Sequence, residues 1–72
     1  MNGPDAWAAE RVGRRLRELR LKQSLTLDDV AESFGVYRST ISMYETGKRA
    51  PSYARLLGFC AYYGVTPNDL LF

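Results

Sequence analysis

Three residues at fixed spacing constrain this chain more than any other feature: Ala31, then Gly35 four positions on, then Ile41 six after that. Apolar residues fill the matching inward slots, at Val30, Phe34, Val36 and Tyr44. Each has a geometric job. The small Ala31 lets a second helix cross closely. Gly35 takes the positive φ of a tight turn without a Cβ penalty. Ile41 is the first large apolar residue of the following helix that points back at Val30 and Phe34. Two short helices locked in this way leave the outer face of the second unoccupied.

The remaining support must come from helix packing. At 72 residues the chain is one domain near the lower limit for folding without a staple. Its single cysteine excludes an internal disulfide, and with no histidine there is no cluster of metal-ligand spacing. The expectation is therefore no metal, with a helical core that a dimer interface could extend. No apolar run is long enough to span a bilayer. The opening MNGPDAWAAERVGRR does not read as a leader, because its basic residues follow the apolar ones. A soluble, cytoplasmic protein with no membrane partner is expected.

A net charge of +2 argues little, but its distribution argues more. Between Arg11 and Lys22 stand Arg14, Arg15, Arg17 and Arg20 against one acid, Glu18, and a second basic point follows at Lys48 and Arg49. The acids lie elsewhere: Asp28 and Asp29 open a helix, and Asp69 sits near the end. One face of the molecule should be basic while the total stays modest.

Helical periodicity and caps divide the chain into five short helices, with no strand signal, repeat or linker. Residues 1–4 read as frayed. Ala8, Val12, Leu16 and Leu19 mark one face of a helix from about Asp5 to Lys22, with arginines opposite. Thr26 caps a second helix, whose first turn carries Asp28 and Asp29 where the dipole favours acids. It runs to Phe34 and stops at Gly35. A third spans Arg38 to Glu45 and stops at Gly47. Ala50-Pro51-Ser52 is a loop and cap. The fourth covers Tyr53 to Tyr63 and should bury Tyr53, Leu56, Phe59, Cys60 and Tyr63 before Gly64 ends it. Thr66 and Pro67 cap and open a last helix, Asn68 to about Leu71. Trp7 should pack the start of the first helix over the bundle. The fold class is all-α: a single-domain five-helix bundle, residues 1–72.

Together the segments RRLRELR, LTLDDVAESFGVYRSTISMYETGKRAPS and LLGFCAYYGVTPNDLL resemble the lambda-repressor-like family, the Cro/repressor or XRE type of helix-turn-helix. The resemblance covers about Val12 to Leu71. Its strongest part is STISMYETGKRAPS, which is similar to the family's serine–x–x–glutamate–x–glycine–lysine–arginine–x–proline stretch. It implies a helix-turn-helix formed by the second and third helices. It further implies binding of duplex DNA, usually as a twofold homodimer on an inverted-repeat operator.

With Ile41 and Tyr44 turned inward, Arg38, Ser39, Ser42 and Met43 remain for a groove, and Thr40 lies near the edge. Matched to the family, Arg38, Ser39 and Met43 fall where base contacts are made. An arginine can bind guanine O6 and N7 together, and a methionine can offer only apolar contact, for example to a thymine methyl. A solvated arginine or a plain phosphate contact is the competing reading of Arg38. Backbone contacts should come from helix N-termini and the loop after the third helix. The candidates are the amides near Thr26 and Leu27, the hydroxyls of Ser42 and Thr46, and the side chains of Lys48 and Arg49.

Two departures from the family matter. Leucine at position 27 replaces a glutamine that touches phosphate, so only the backbone amide contact survives. Tyr37 replaces a capping serine or threonine, which should cost about 1 kcal/mol. Its hydroxyl either reaches a phosphate or its ring packs on Phe34. Arg20 and Glu45 align with a pair that bridges the first and third helices in relatives, and Arg20 can also lend charge to a phosphate. Arg14 and Arg17 are either direct contacts or a solvated face. Cys60 stands where the family has a small core residue and reads as buried filler. Tyr62 and Phe72 fall in a region that forms dimer contacts in relatives, while Leu71 and Phe72 could equally close the core.

The leading function is a sequence-specific DNA-binding transcriptional regulator, most simply a repressor, reading the major groove with the helix at about 37–45. It would act in the cytoplasm of a bacterial cell or phage-infected host, associated with the nucleoid. The alternative is a protein-interaction module, an antitoxin or adaptor built on the same bundle. An enzyme is not expected: without histidine, and with its cysteine in the core, the chain offers no acid–base pair or nucleophile in a cleft. No cofactor or small-molecule ligand is implied. The aromatics fall on inward helical positions, which argues against single-stranded RNA.

Overall fold

Local caps and left-handed glycines set most of the helix boundaries among the described residues. The computed structural model describes residues 4–72, with side chains from Ala8 onward. The five helices are α1 (Pro4–Lys22), α2 (Leu27–Phe34), α3 (Arg38–Glu45), α4 (Tyr53–Tyr63) and α5 (Pro67–Leu71). Pro4 opens α1 rather than fraying; residues 1–3 and the Trp7 side chain lie outside the described set. No described helix is long and apolar enough to cross a membrane.

Two capping boxes start helices. Thr26 Oγ1 accepts from the Asp29 amide at 3.0 Å while Asp29 Oδ2 accepts from the Thr26 amide at 2.8 Å. Thr66 and Asp69 repeat the arrangement at α5, with Pro67 in the first turn. At the other end of α2, Gly35 sits at φ 65°, ψ 35°, and the amides of Gly35 and Val36 turn back onto the carbonyls of Glu32 and Ala31. A Cβ at Gly35 would meet nothing within 4 Å, so the glycine is there for its backbone conformation alone.

The core gathers one stripe from each helix: Val12 and Leu16 of α1, Val30 and Ala31 of α2, Ile41 and Tyr44 of α3, Phe59, Cys60 and Tyr63 of α4, and Leu70 of α5. Phe59 is its centre, with the rings of Phe34 at 4.6 Å and Tyr44 at 5.7 Å. Burying such a set is the main favourable term for a chain this short.

Three expectations about packing are corrected. Tyr53 is 75% exposed, because it is the first residue of α4 and lies beyond the packed layer that begins at Leu56. The end of the chain is closed by Leu70, fully buried, while Leu71 is half-buried and Phe72 is 74% exposed. Tyr62 is not an open surface: it is half-buried, edge-on to Phe34 at 5.2 Å, with its hydroxyl 3.2 Å from Ser33 Oγ.

A close helix approach also lies at Gly13, which the sequence did not single out. Gly13 is buried in α1, and a Cβ there would stand 2.4 Å from the Tyr44 carbonyl oxygen and 2.7 Å from that of Glu45. Gly47, at φ 77°, would place a Cβ 3.0 Å from the Glu10 backbone. Two glycines thus let α1 lie directly on the end of α3. Within its first half α1 is also tied to the end of α5, where Arg11 Nη2 donates to the Phe72 carbonyl.

Candidate nucleic-acid interface

The candidate surface is the outer side of α3 together with the N-terminus of α2 and the loop after α3. Ile41, Tyr44 and Glu45 are buried, so α3 has one possible outward face: Arg38 and Ser39 are exposed, while Thr40, Ser42 and Met43 are half-buried at its edges. The helix is held from within by an ion pair. Arg20 Nε donates to Glu45 Oε2 at 2.7 Å, Nη2 to Oε1 at 3.0 Å, and Nη1 to the Leu25 carbonyl at 2.9 Å. Both residues are buried. The hydrogen bonds to Glu45 hold the Arg20 guanidinium above its ordinary pKa despite burial. One arginine therefore joins the end of α1, the turn before α2 and the end of α3. With three of its five N–H hydrogens engaged inside the fold and the residue buried, Arg20 acts first as an orienting residue.

The backbone candidates divide according to what already occupies them. The Thr26 amide is taken by Asp29, leaving its hydroxyl hydrogen as the available donor. Leu27 is half-buried, and its amide lies in the first turn of α2. Tyr37 is the N-cap of α3 but makes no side-chain cap bond, and at 83% exposure it does not pack on Phe34. Its exposed side chain belongs to the residue that opens α3 without a side-chain cap, and backbone amides at a helix N-terminus favour an anion. The Thr46 hydroxyl donates to the Ser42 carbonyl at 3.0 Å, so in this rotamer its proton faces inward. Lys48 and Arg49 are exposed; both amides fold back onto the Met43 carbonyl, and the Arg49 guanidinium lies 5.9 Å from the Tyr44 ring centre. Arg14 and Arg17 are exposed on α1.

One contact escaped the sequence reading. Asp28 had a sufficient local explanation as an acid in the first turn of α2. In the fold it faces the N-terminus of α3 and binds Arg38 side-on: Arg38 Nε donates to Oδ1 at 3.0 Å and Nη2 to Oδ2 at 2.6 Å. The pair is well exposed, at 64% and 65% for the two side chains. The hydrogen bond lowers the Asp28 carboxyl below its ordinary range and raises the Arg38 guanidinium. No periodicity signals a pair ten residues apart across a turn; only the crossing of the two helices does.

Two helices crossing at a left-handed glycine turn, with the polar face of the second turned outward, form a helix-turn-helix unit inside a five-helix bundle. The chain belongs to the helix-turn-helix domain family, whose model matches residues 11–71. Among sequence relatives it is 39% identical over 57 residues to the HTH-type transcriptional regulator DdrOP3 of Deinococcus deserti, covering 79% of this chain and 44% of that one. It is 37% identical to the HTH-type transcriptional regulator AnsR of Bacillus subtilis, covering 79% and 49%. With the cryptic phage CTXphi transcriptional repressor RstR of Vibrio cholerae it shares 30% identity, over 79% and 51%. The chain spans about half, or less, of the length of these relatives. Among solved structures, the DNA-binding domain of BldD superposes with a TM-score of 0.80 at 32% identity, covering 93% of this chain and 97% of that one. The restriction-modification controller protein C.AhdI from Aeromonas hydrophila gives 0.76 at 31%, covering 86% and 94%.

Proposed function

We propose that the chain binds duplex DNA sequence-specifically as a transcriptional regulator, entering the major groove with α3 and acting as a repressor by occupying its operator. The observation that carries this reading is the fixed outward face of α3. Arg20 and Glu45 lock its inner side, and the face they leave holds Arg38, Ser39 and Met43, side chains with donors and an apolar tip suited to base edges. The names of the relatives support regulation, and RstR supports repression. Lys48, Arg49, the Tyr37 hydroxyl and the amides opening α2 and α3 would hold phosphates on either side. Nothing in this role calls for catalysis.

The working unit in this reading is a homodimer in the cytoplasm, bound to an inverted repeat whose half-sites lie one helical turn apart, about 34 Å. The exposed Phe72 beside the half-buried Leu71 supports an apolar contact at the α5 end. The test is selection from a randomised duplex pool at near-physiological salt. Recovery of an inverted repeat of that spacing, with affinity falling steeply as salt rises, is the expected result. Absence of any enriched sequence would refute the reading and favour the protein-interaction alternative.

A further inference from the structure

Asp28 is an odd residue to find on a DNA-facing surface. It places a carboxylate at the N-terminus of α2, where phosphates are otherwise welcomed, and beside the start of α3. Dipole stabilisation of α2 accounts for an acid there, but it does not account for the side-on geometry with Arg38. A guanidinium has five N–H donors. Asp28 takes one on Nε and one on Nη2, leaving both hydrogens of Nη1 and one of Nη2. Of these, one on Nη1 and one on Nη2 lie side by side at the far end of the fork, the end that can meet O6 and N7 of a guanine together.

We propose that Asp28 is a positioning and specificity-determining residue for base reading: by holding Arg38 side-on, it aims the remaining end of the guanidinium at a guanine. The inference rests on the DNA-binding reading above and deepens it. Two physical consequences follow from the pairing. An exposed arginine at a helix start would otherwise sample many rotamers and lose that freedom on binding; the bidentate clamp removes most of it in advance. The pair also carries no net charge, so it is drawn weakly to phosphate while keeping its donors for the neutral acceptors of a base edge. Clamping therefore trades sequence-independent attraction for discrimination.

The experiment is the same randomised-pool selection, run in parallel on the unaltered chain, Asp28→Asn, Asp28→Glu, Arg38→Ala and the Asp28→Asn/Arg38→Ala double variant. Binding to a mixed-sequence duplex at several salt concentrations and thermal melting complete the set. Because the pair is exposed, all variants should remain folded. The expected result is one guanine per half-site in the recovered motif, with Asp28→Asn lowering the preference there by about tenfold and leaving the other positions intact. Arg38→Ala should relax the same position, and the double variant should lose no more than Arg38→Ala alone. Asp28→Glu should restore much of the preference, and Asp28→Asn should raise affinity for the mixed-sequence duplex. A purely structural role would lower the melting temperature and leave base preference unchanged.

Retention of the guanine by Asp28→Asn alongside its loss in Arg38→Ala would overturn the positioning role and leave the DNA-binding reading standing. An unchanged motif in Arg38→Ala would overturn it too, by removing Arg38 as a reader. A failure of the unaltered chain to enrich any sequence would instead bring down the function on which the proposal rests.

Discussion

Replacing Gly13 by alanine should destabilise the fold, against the sign that helix propensity alone gives. In an unobstructed helix interior, glycine to alanine gains about 1 kcal/mol. Here the new methyl would lie 2.4 Å from the Tyr44 carbonyl oxygen and 2.7 Å from that of Glu45. An ordinary contact needs roughly 1 Å more than this. Both opposing atoms are backbone at the end of α3, so neither can rotate away, and α1 and α3 must part. Overpacking of this kind costs about 1–3 kcal/mol, occasionally more, and the rigid partner places Gly13 at the upper end. Net of the propensity gain, about 2 kcal/mol of stability should be lost. For a domain of this size that corresponds to a fall in Tm of roughly 10 °C. Helical circular dichroism followed against temperature and urea measures it directly. DNA affinity should fall as well, because the displaced element is the one that carries the outward face. A variant as stable as the unaltered chain, or more so, would refute the reasoning, since it would mean that the two helices do not touch there.

Three further outcomes follow from the same geometry. Glu45→Ala should cost about 3–5 kcal/mol, because it strands the buried Arg20 without its counter-ion. The Arg20→Met/Glu45→Leu pair should recover much of that loss in urea titrations. Tyr37→Ser should add about 0.5–1 kcal/mol in thermal melts by capping α3, where Tyr37 makes no cap bond. Acid should weaken the fold through Asp28 and Asp69, whose carboxyls are both held below their ordinary range, Asp28 chiefly by Arg38 and Asp69 chiefly by the Thr66 backbone. Their contribution is fully present above the unfolded carboxylate value of about 4. It is lost as pH falls through the lower folded values, so Tm should drop below about pH 4, and less so in Asp69→Asn.

The sequence alone determined the helices and their ends. Thr26, Gly35, Ser52, Gly64 and the Thr66–Pro67 pair act on backbone groups within a few residues of themselves, so their effect can be read without knowing the fold. It also determined the inward stripes of α2 and α3, because a helical period fixes the angle between side chains whatever they pack against. The Arg20–Glu45 bridge was legible only through family resemblance, since no local rule joins residues 25 positions apart. Tertiary structure decided the rest. Nothing in the pattern of α1 singles out Gly13, and only the carbonyls of α3 lying over it give it a purpose. Tyr53 continued the apolar stripe of α4 yet fell outside the bundle, and Leu70 rather than Leu71 closed it, because the extent of a core depends on where neighbouring helices end. Asp28 satisfied a local rule so well that nothing in the sequence asked for a second role. The crossing of two helices supplied that role by bringing its carboxylate against Arg38.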